Sequence, residues 1–268
     1  MKKRICALLC CLLLLPLAAL AEEPALPWEY PIDPLTLYDA DHFLTLANRD
    51  HLLDERFAPN DLVKVTAKHV KGDFQIRKPV HEALLAMFAA AQEDGCTLYV
   101  KSAYRSYRTQ NTMYYNRLSN IGHDDGMVQA PGASDHQTGL GVDVLNYEWT
   151  KKDGMNAKFA SEREAVWMAE HCWEYGFVIR YQSDKEDITG IKYEPWHLRY
   201  VGIEAAAYMH EKNYALEEFW EDYRRAVADY ESAGGDFMSL VYLLNRPNEK
   251  LIVEVLANGE EEYSAFYD

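Results

Sequence analysis

Two short segments, far apart in the chain, constrain its fold most because each carries residue types that bind a divalent metal. Ser134–Asp143 reads SDHQTGLGVD and Glu194–His197 reads EPWH. Two histidines and one carboxylate form a common catalytic ligand set for Zn²⁺, with water in the fourth position. We therefore predict that His136, Asp143 and His197 bind one zinc ion, which requires a fold that brings the two segments together.

The spacing within the first segment predicts a turn. His136 and Asp143 are an odd number of residues apart, so on one continuous strand their side chains would point to opposite faces. Gly139 and Gly141 allow the backbone to turn, so that both side chains can reach one metal. Asp143 lies between Val142 and Val144 in an apolar strand, where a buried carboxylate needs a cation to offset its desolvation.

Glu194 and Arg105 are the predicted catalytic residues. Pro195 favours an extended conformation at Glu194, which differs from the helical HExxH arrangement that is common among zinc peptidases. A carboxylate beside a metal-activated water can take its proton. The developing oxyanion needs a positive partner, for which we choose Arg105 because it follows a predicted strand. Three other arginines rank lower as this partner: Arg108, Arg180 and Arg199.

The pattern of apolar residues, glycines and prolines predicts an α+β fold, because helices and strands mix without regular βαβ alternation. An acidic helix and an Asn258-Gly259 hairpin follow at the C-terminus. The predicted helices span 78–94, 105–118, 161–175, 202–212 and 215–232, and the predicted strands span 97–100, 141–145, 177–181 and 191–197.

The N-terminus has the layout of a secretory signal over residues 1–21. A basic start precedes an apolar run from Ile5 to Leu15, and Ala19-Leu20-Ala21 resembles a signal peptidase site. The alternative is an uncleaved membrane anchor, although the run is short for a membrane span. Either way we expect export to the periplasm, the cell wall or the exterior. The rest divides into a wrapping segment at 22–60, a catalytic domain at 61–218 and a C-terminal extension at 219–268.

Charge and cysteine content limit the partners. A formal net charge of -16 argues against nucleic acid and anionic membrane surfaces as partners, so we expect membrane contact only if the signal is retained. We also expect a monomer. Beyond the signal, the cysteines are Cys96 and Cys172, which form either one disulfide or two buried thiols; the sequence leaves both open.

Three ordered motifs resemble those of VanY-type D-alanyl-D-alanine carboxypeptidases, which are related to VanX-type dipeptidases. They are Ser102–Gln110, Ser134–Asp143 and Thr189–Gly202, and the resemblance covers roughly residues 45 to 218. It implies a small central antiparallel sheet with flanking helices, as in hedgehog/DD-peptidase-like zinc peptidases. One departure is Gly141, where the family often has Ala. By motif match the resemblance assigns zinc to His136, Asp143 and His197, the base to Glu194, transition-state stabilisation to Arg105 and a place near the substrate to Ser134.

The resemblance implies a zinc-dependent D,D-carboxypeptidase that removes terminal D-alanine from the peptide stem of the bacterial cell wall. An L,D-carboxypeptidase acting on tetrapeptide stems is a close alternative, and an endopeptidase is a weaker one. A non-catalytic, zinc-stabilised cell-wall-binding module belongs to a different class, but it would have no need of Glu194 and Arg105. A serine mechanism of the Ser-x-x-Lys type is excluded because no serine is followed three residues later by lysine.

Overall fold

The structure is a computed structural model that describes residues 26–66 and 72–245. The predicted signal and the predicted Asn258-Gly259 hairpin lie outside these residues. The helices are α1 (Pro34–Tyr38), α2 (Lys78–Glu93), α3 (Tyr107–Ile121), α4 (Asp135–Thr138), α5 (Tyr147–Thr150), α6 (Arg163–His171), α7 (Glu186–Thr189), α8 (Ile203–Lys212), α9 (Leu216–Ser232) and α10 (Phe237–Leu244). The strands are β1 (Leu62–Lys64), β2 (Gln75–Arg77), β3 (Tyr99–Ser102), β4 (Gly141–Leu145), β5 (Phe177–Ile179) and β6 (His197–Tyr200), and 3₁₀ turns span Ala157–Ser161 and Cys172–Tyr175.

A four-stranded antiparallel sheet in the order β3-β4-β6-β5 forms the centre of the molecule. In its register Asp143 of β4 lies directly opposite His197 of β6. The strands β1 and β2 form a separate antiparallel pair. The predicted α+β class with a small central antiparallel sheet is confirmed, and the sheet itself brings the two distant motifs into contact.

The core beside this sheet is built from the apolar face of α2. Its buried positions are Val80, Leu84, Met87, Phe88 and Ala91, which recur at helical spacing. They share one apolar cluster with Val142, Val144 and Leu198 of the central strands. Full burial of a residue such as Leu84 contributes about 1.5–3 kcal/mol, so this packing holds β4 and β6 in place.

A second apolar cluster joins the two ends of the described chain. Ile32, Leu37, Leu44 and Leu46 of the N-terminal segment pack with residues of the last three helices, which include Ala205, Ala206, Met209, Phe219 and Val241. The helix α9 runs without a break across position 218/219, where the sequence suggested a domain boundary. The division into 22–60, 61–218 and 219–268 stays a prediction, but the N-terminal segment and α8–α10 share one core.

The predicted strand over 191–197 is wrong for most of its length. The strand begins only at His197, and residues before it form a turn in which the His197 N–H donates to the Glu194 carbonyl at 3.1 Å. The helix predicted over 161–175 is divided into α6 and the Cys172–Tyr175 3₁₀ turn, and it ends, as predicted, at Gly176 in a left-handed conformation.

Both cysteines outside the predicted signal are buried, unpaired thiols. Cys96 and Cys172 are 1% and 3% exposed. Burial raises the pKa of the Cys172 thiol to about 12. The structure therefore favours two buried thiols over a disulfide. Within residues 26–66 and 72–245, no helix has both the length and the hydropathy to cross a membrane.

Candidate metal centre and active site

Three elements place the predicted metal ligands together. His136 lies on α4, Asp143 on β4 and His197 on β6. One ligand atom from each lies within 4.8 Å of the others, and all three residues are buried. The turn predicted between His136 and Asp143 is present, because Gly139 ends α4 in the left-handed region with a φ of 69°. His136 therefore lies on a short helix and not on the strand that carries Asp143.

The polar atoms at this centre suit a cation. The Nδ1–H of His136 donates to the Ala103 carbonyl at 2.7 Å, so its Nε2 carries a lone pair. That Nε2 faces Asp143 Oδ2 at 3.3 Å, and His197 Nδ1 lies 3.2 Å from Asp143 Oδ1. Within the described part of the chain, His136 Nε2 and Asp143 Oδ1 are buried without a hydrogen-bond partner. Acceptor atoms that converge in this way fit a bound divalent metal.

The local electrostatics favour, in two of the three predicted ligands, the protonation states that a metal requires. Burial, together with the nearby Arg105 cation, lowers the pKa of His136 to about 4, so its imidazole is neutral at pH 7. Burial alone would raise the pKa of Asp143, but the neighbouring His136 and His197 hold it well below its usual range. A neutral imidazole and an ionised carboxylate are the forms that bind zinc.

Glu194 lies beside the predicted ligands on the turn that precedes β6. It is 8% exposed, and its Oε2 is 3.6 Å from His197 Nδ1. Its N–H donates to the Tyr181 carbonyl at 3.0 Å, which fixes the backbone from which the side chain extends. Burial, with the Asp143 carboxylate nearby, raises the pKa of Glu194 well above its usual range. A raised pKa suits a group that takes and returns a proton near neutral pH.

Arg105 lies across the same cavity. Its backbone N–H donates to the His136 carbonyl at 3.1 Å, and this bond fixes the segment that follows β3 next to α4. Its guanidinium Nη1 contacts Met113 Sδ at 3.6 Å, while its buried Nε has no hydrogen-bond partner among the described residues. No carboxylate in the described ranges forms an ion pair with it. The guanidinium therefore retains donors for a bound anion, Nε among them.

The cavity that these residues line measures about 100 Å³. Ser134 lies at the start of α4 and is 3% exposed. Two glutamines that the sequence did not single out also line it: Gln110 Nε2 donates to the Gln129 carbonyl at 2.7 Å, and Gln129 Nε2 to the Tyr181 hydroxyl at 3.4 Å. The other lining residues are Met113, Met127, Val128, Met155, Tyr181, Ile191 and Trp196, with His136, Asp143, Glu194 and His197.

The three arginines that ranked below Arg105 as the oxyanion partner lie outside the cavity lining. Arg180 Nε donates to Asp135 Oδ2 at 2.8 Å, and Arg199 Nη1 donates to Asp135 Oδ1. Both are buried outside the cavity lining, and Arg108 is exposed on α3. The sequence also missed Asp135 as a buried acceptor, although its place next to His136, inside the motif, was a signal that could have found it.

A family model for VanY D-alanyl-D-alanine carboxypeptidases matches residues 73–203. YodJ of Bacillus subtilis (strain 168), which carries a provisional carboxypeptidase name, is 36% identical over 201 residues, or 71% of each chain.

Two solved structures have a similar fold. The LdcB LD-carboxypeptidase is 36% identical with a TM-score of 0.61, over 67% of this chain and 86% of its own. The D,D-pentapeptidase VanY from a VanB-type vancomycin resistance cassette was solved as a point mutant with Zn(II). It is 29% identical with a TM-score of 0.55, over 66% of this chain and 98% of its own.

Proposed function

Because this chain belongs to the VanY family of D-alanyl-D-alanine carboxypeptidases, we propose that it is a zinc-dependent D,D-carboxypeptidase. Its substrate is the peptide stem of the bacterial cell wall, from which it removes the terminal D-alanine. The observation that carries this proposal is the cavity in which His136, Asp143 and His197 converge beside Glu194 and Arg105.

The chemistry follows from the positions of these side chains. A zinc ion bound by His136, Asp143 and His197 would polarise the peptide carbonyl and activate a water. The Glu194 carboxylate takes a proton from the attacking water and delivers it to the leaving nitrogen, so that the C–N bond breaks and free D-alanine departs. The Arg105 guanidinium stabilises the negative charge that develops on the carbonyl oxygen. Ser134 contacts the bound peptide.

A non-catalytic binding module is the less favoured alternative. Such a module needs the metal ligands for stability, but it has no use for a buried carboxylate with a raised pKa and a cation without a carboxylate partner in the same cavity. Groups of this kind are costly to bury and cluster at catalytic sites. A cell-wall substrate also requires export, which agrees with the signal proposed for residues 1–21.

An L,D-carboxypeptidase is the second candidate, because the LD-carboxypeptidase LdcB is more similar in sequence than VanY, at 36% against 29% identity. Both reactions use the same zinc, base and cation, and they differ in the residue that precedes the released D-alanine. The stereochemistry of that residue is read by the cavity walls, which include Gln110, Gln129 and Met155.

Release of D-alanine from pentapeptide and tetrapeptide stems, measured side by side with zinc-loaded protein, tests the proposal. We expect release from the pentapeptide ending in D-Ala-D-Ala. Release from the tetrapeptide alone would assign the protein as an L,D-carboxypeptidase. Cleavage of neither stem by protein that contains zinc would overturn both assignments.

A further inference from the structure

A network of four charged residues, three of them buried, lies next to His197 and outside the cavity lining. Arg180 donates its Nε to Asp135 Oδ2 at 2.8 Å, and Arg199 donates to Asp135 Oδ1. The remaining donors of Arg180 form a two-bond contact with Glu217, at 2.8 Å to Oε2 and 2.6 Å to Oε1. The side chains of Asp135, Arg180 and Arg199 are 0% exposed and that of Glu217 is 13% exposed.

Asp135 connects this network to the metal centre. Its Oδ2 lies 3.9 Å from His197 Nε2, the ring nitrogen opposite the Nδ1 that faces Asp143. In the described part of the chain, His197 Nε2 is buried without a hydrogen-bond partner, and the Asp135 carboxylate faces it from just beyond hydrogen-bond distance. A carboxylate behind a metal-binding histidine orients the ring and raises its basicity. The position of Asp135 therefore bears directly on His197.

The balance of charge in the network depends on Glu217. Asp135 and Glu217 are negative, Arg180 and Arg199 are positive, and together they sum to zero. Without Glu217 the two arginines would exceed Asp135 by one charge, close to a site proposed for a divalent cation. This excess positive charge would repel the divalent cation. In a buried environment, where charges are weakly screened, such repulsion weakens metal binding measurably.

Glu217 lies outside the residues that the family model matches. It is on α9, whereas the matched residues are 73–203. The N-terminal segment contributes as well: Asn48 Nδ2 donates to Glu217 Oε1 at 3.1 Å, and the carbonyls of Phe43 and Thr45 accept from Arg199 Nη2 at 2.9 and 2.6 Å. The two ends of the described chain thus enclose the arginines that hold Asp135.

We propose that Glu217 is a positioning residue for the metal centre. By neutralising Arg180, it leaves Asp135 able to support His197, and it removes an excess positive charge from behind the zinc ligands. This inference rests on the proposed zinc site. It makes α9 part of the catalytic unit and not an extension appended to it.

The competing explanation is that Glu217 only anchors α9 to the rest of the molecule. Asp222 on the same helix provides the matched control, because it accepts from the hydroxyls of Tyr30 and Tyr208, each at 2.9 Å, and touches neither Arg180 nor Arg199. Asp222→Asn therefore weakens the docking of α9 without changing the charge beside Asp135.

The test measures Zn²⁺ affinity of the full-length protein by competition with a chromophoric chelator. We expect Glu217→Gln to weaken Zn²⁺ binding about tenfold or more, and to shift the visible absorption spectrum of Co²⁺-loaded protein, because the geometry of His197 changes. Asp222→Asn should lower the Tm of the metal-free protein and leave Zn²⁺ affinity and the Co²⁺ spectrum as in the wild type. Glu217→Asp, which keeps the charge, should retain Zn²⁺ affinity to within about threefold.

Three results would overturn the inference while leaving the proposed metal site intact. Wild-type affinity in Glu217→Gln would show that Glu217 has no influence on the metal, and an equal loss in Asp222→Asn would show that helix docking alone is responsible. If Glu217→Gln does not fold, a tenfold loss in Glu217→Asp would exclude the charge as the cause. Failure of the wild type itself to bind Zn²⁺ is a separate outcome, since it would refute the proposed metal site and with it this inference.

Discussion

At the scale of single residues, the site depends on a few groups whose surroundings change their chemistry. Glu194 is buried next to Asp143, so its pKa is raised, while Asp143 itself stays ionised because His136 and His197 lie beside it. Two carboxylates in one cavity therefore have opposite properties. This separation of pKa values is the pattern expected when one carboxylate binds a metal and the other exchanges a proton.

Replacing Glu194 tests its proposed role as the general base. Glu194→Ala should lower kcat for D-alanine release by roughly a hundred- to ten-thousandfold, the usual contribution of a general base. Zinc content, measured by atomic absorption, should stay at the wild-type level because the three proposed ligands remain. Glu211→Ala is the control, since this exposed glutamate on α8 pairs only with Lys212 among the described residues. Normal turnover in Glu194→Ala would remove Glu194 from the mechanism.

At the scale of elements, the positions of the ligands depend on how α4, β4 and β6 meet. The register pairs Asp143 with His197, and it places Gly141 opposite Arg199. A Cβ at Gly141 would lie 3.1 Å from backbone atoms of Asp135 and His136, so a residue without a side chain lets α4 lie close against β4. Close packing of a short helix on a strand thus places His136 over Asp143.

Gly139 is the turn residue on which this packing depends. Its φ of 69° is unfavourable for other residues by about 1–2 kcal/mol, and a Cβ there would lie 2.9 Å from Arg77 Cγ and 3.1 Å from Leu62 Cδ2. Gly139→Ala should therefore lower the free energy of unfolding by roughly 2–4 kcal/mol, the sum of backbone strain and overpacking. Urea denaturation measures this change.

Gly190 provides the matched control for that substitution. It ends α7 with the same φ of 69° and ψ of 10°, but a Cβ at this position would meet no atom within 4 Å. Gly190→Ala should therefore show the backbone cost alone, about 1–2 kcal/mol. Equal losses in the two variants would mean that Gly139 is required only for its conformation and not for the close approach of Leu62 and Arg77.

At the scale of the whole molecule, the metal centre connects parts of the chain that are distant in sequence. The predicted ligands lie on α4, β4 and β6, and the residues behind them extend to α9 and to the N-terminal segment. A separate apolar cluster holds those two ends together. Binding of a metal should for this reason stabilise the entire fold and not only the cavity.

Metal removal measures this coupling. Zinc at about a hundred times its Kd should stabilise the folded state by about 2.7 kcal/mol, which corresponds to a rise in Tm of roughly 5–10 °C for a chain of this size. A chelator should reverse the rise, as followed by circular dichroism during heating. His197→Ala should show no rise with zinc, and an undiminished rise in that variant would mean that the proposed ligand set is wrong.

The sequence by itself was sufficient for the fold class, for α2, β4 and α8, and for the residues that converge at the cavity. The reason is that each of these depends on local patterns: helical spacing of apolar residues, and motifs whose residue types suit one chemistry. The strand predicted over 191–197 was wrong. In that stretch the Trp196 carbonyl accepts from the Val144 N–H, and the Glu194 N–H donates to the Tyr181 carbonyl. These partners from other segments bend a stretch that has strand-forming composition.

Only the tertiary structure decided the roles of the other charged residues. The sequence does not distinguish Arg105, Arg180 and Arg199, because all three follow or lie within predicted strands. Their roles differ because Asp135 and Glu217 neutralise two of them, while Arg105 is left facing the cavity. Burial and pairing of charges depend on which segments become neighbours in space, and this is why the fold and not the sequence distinguishes them.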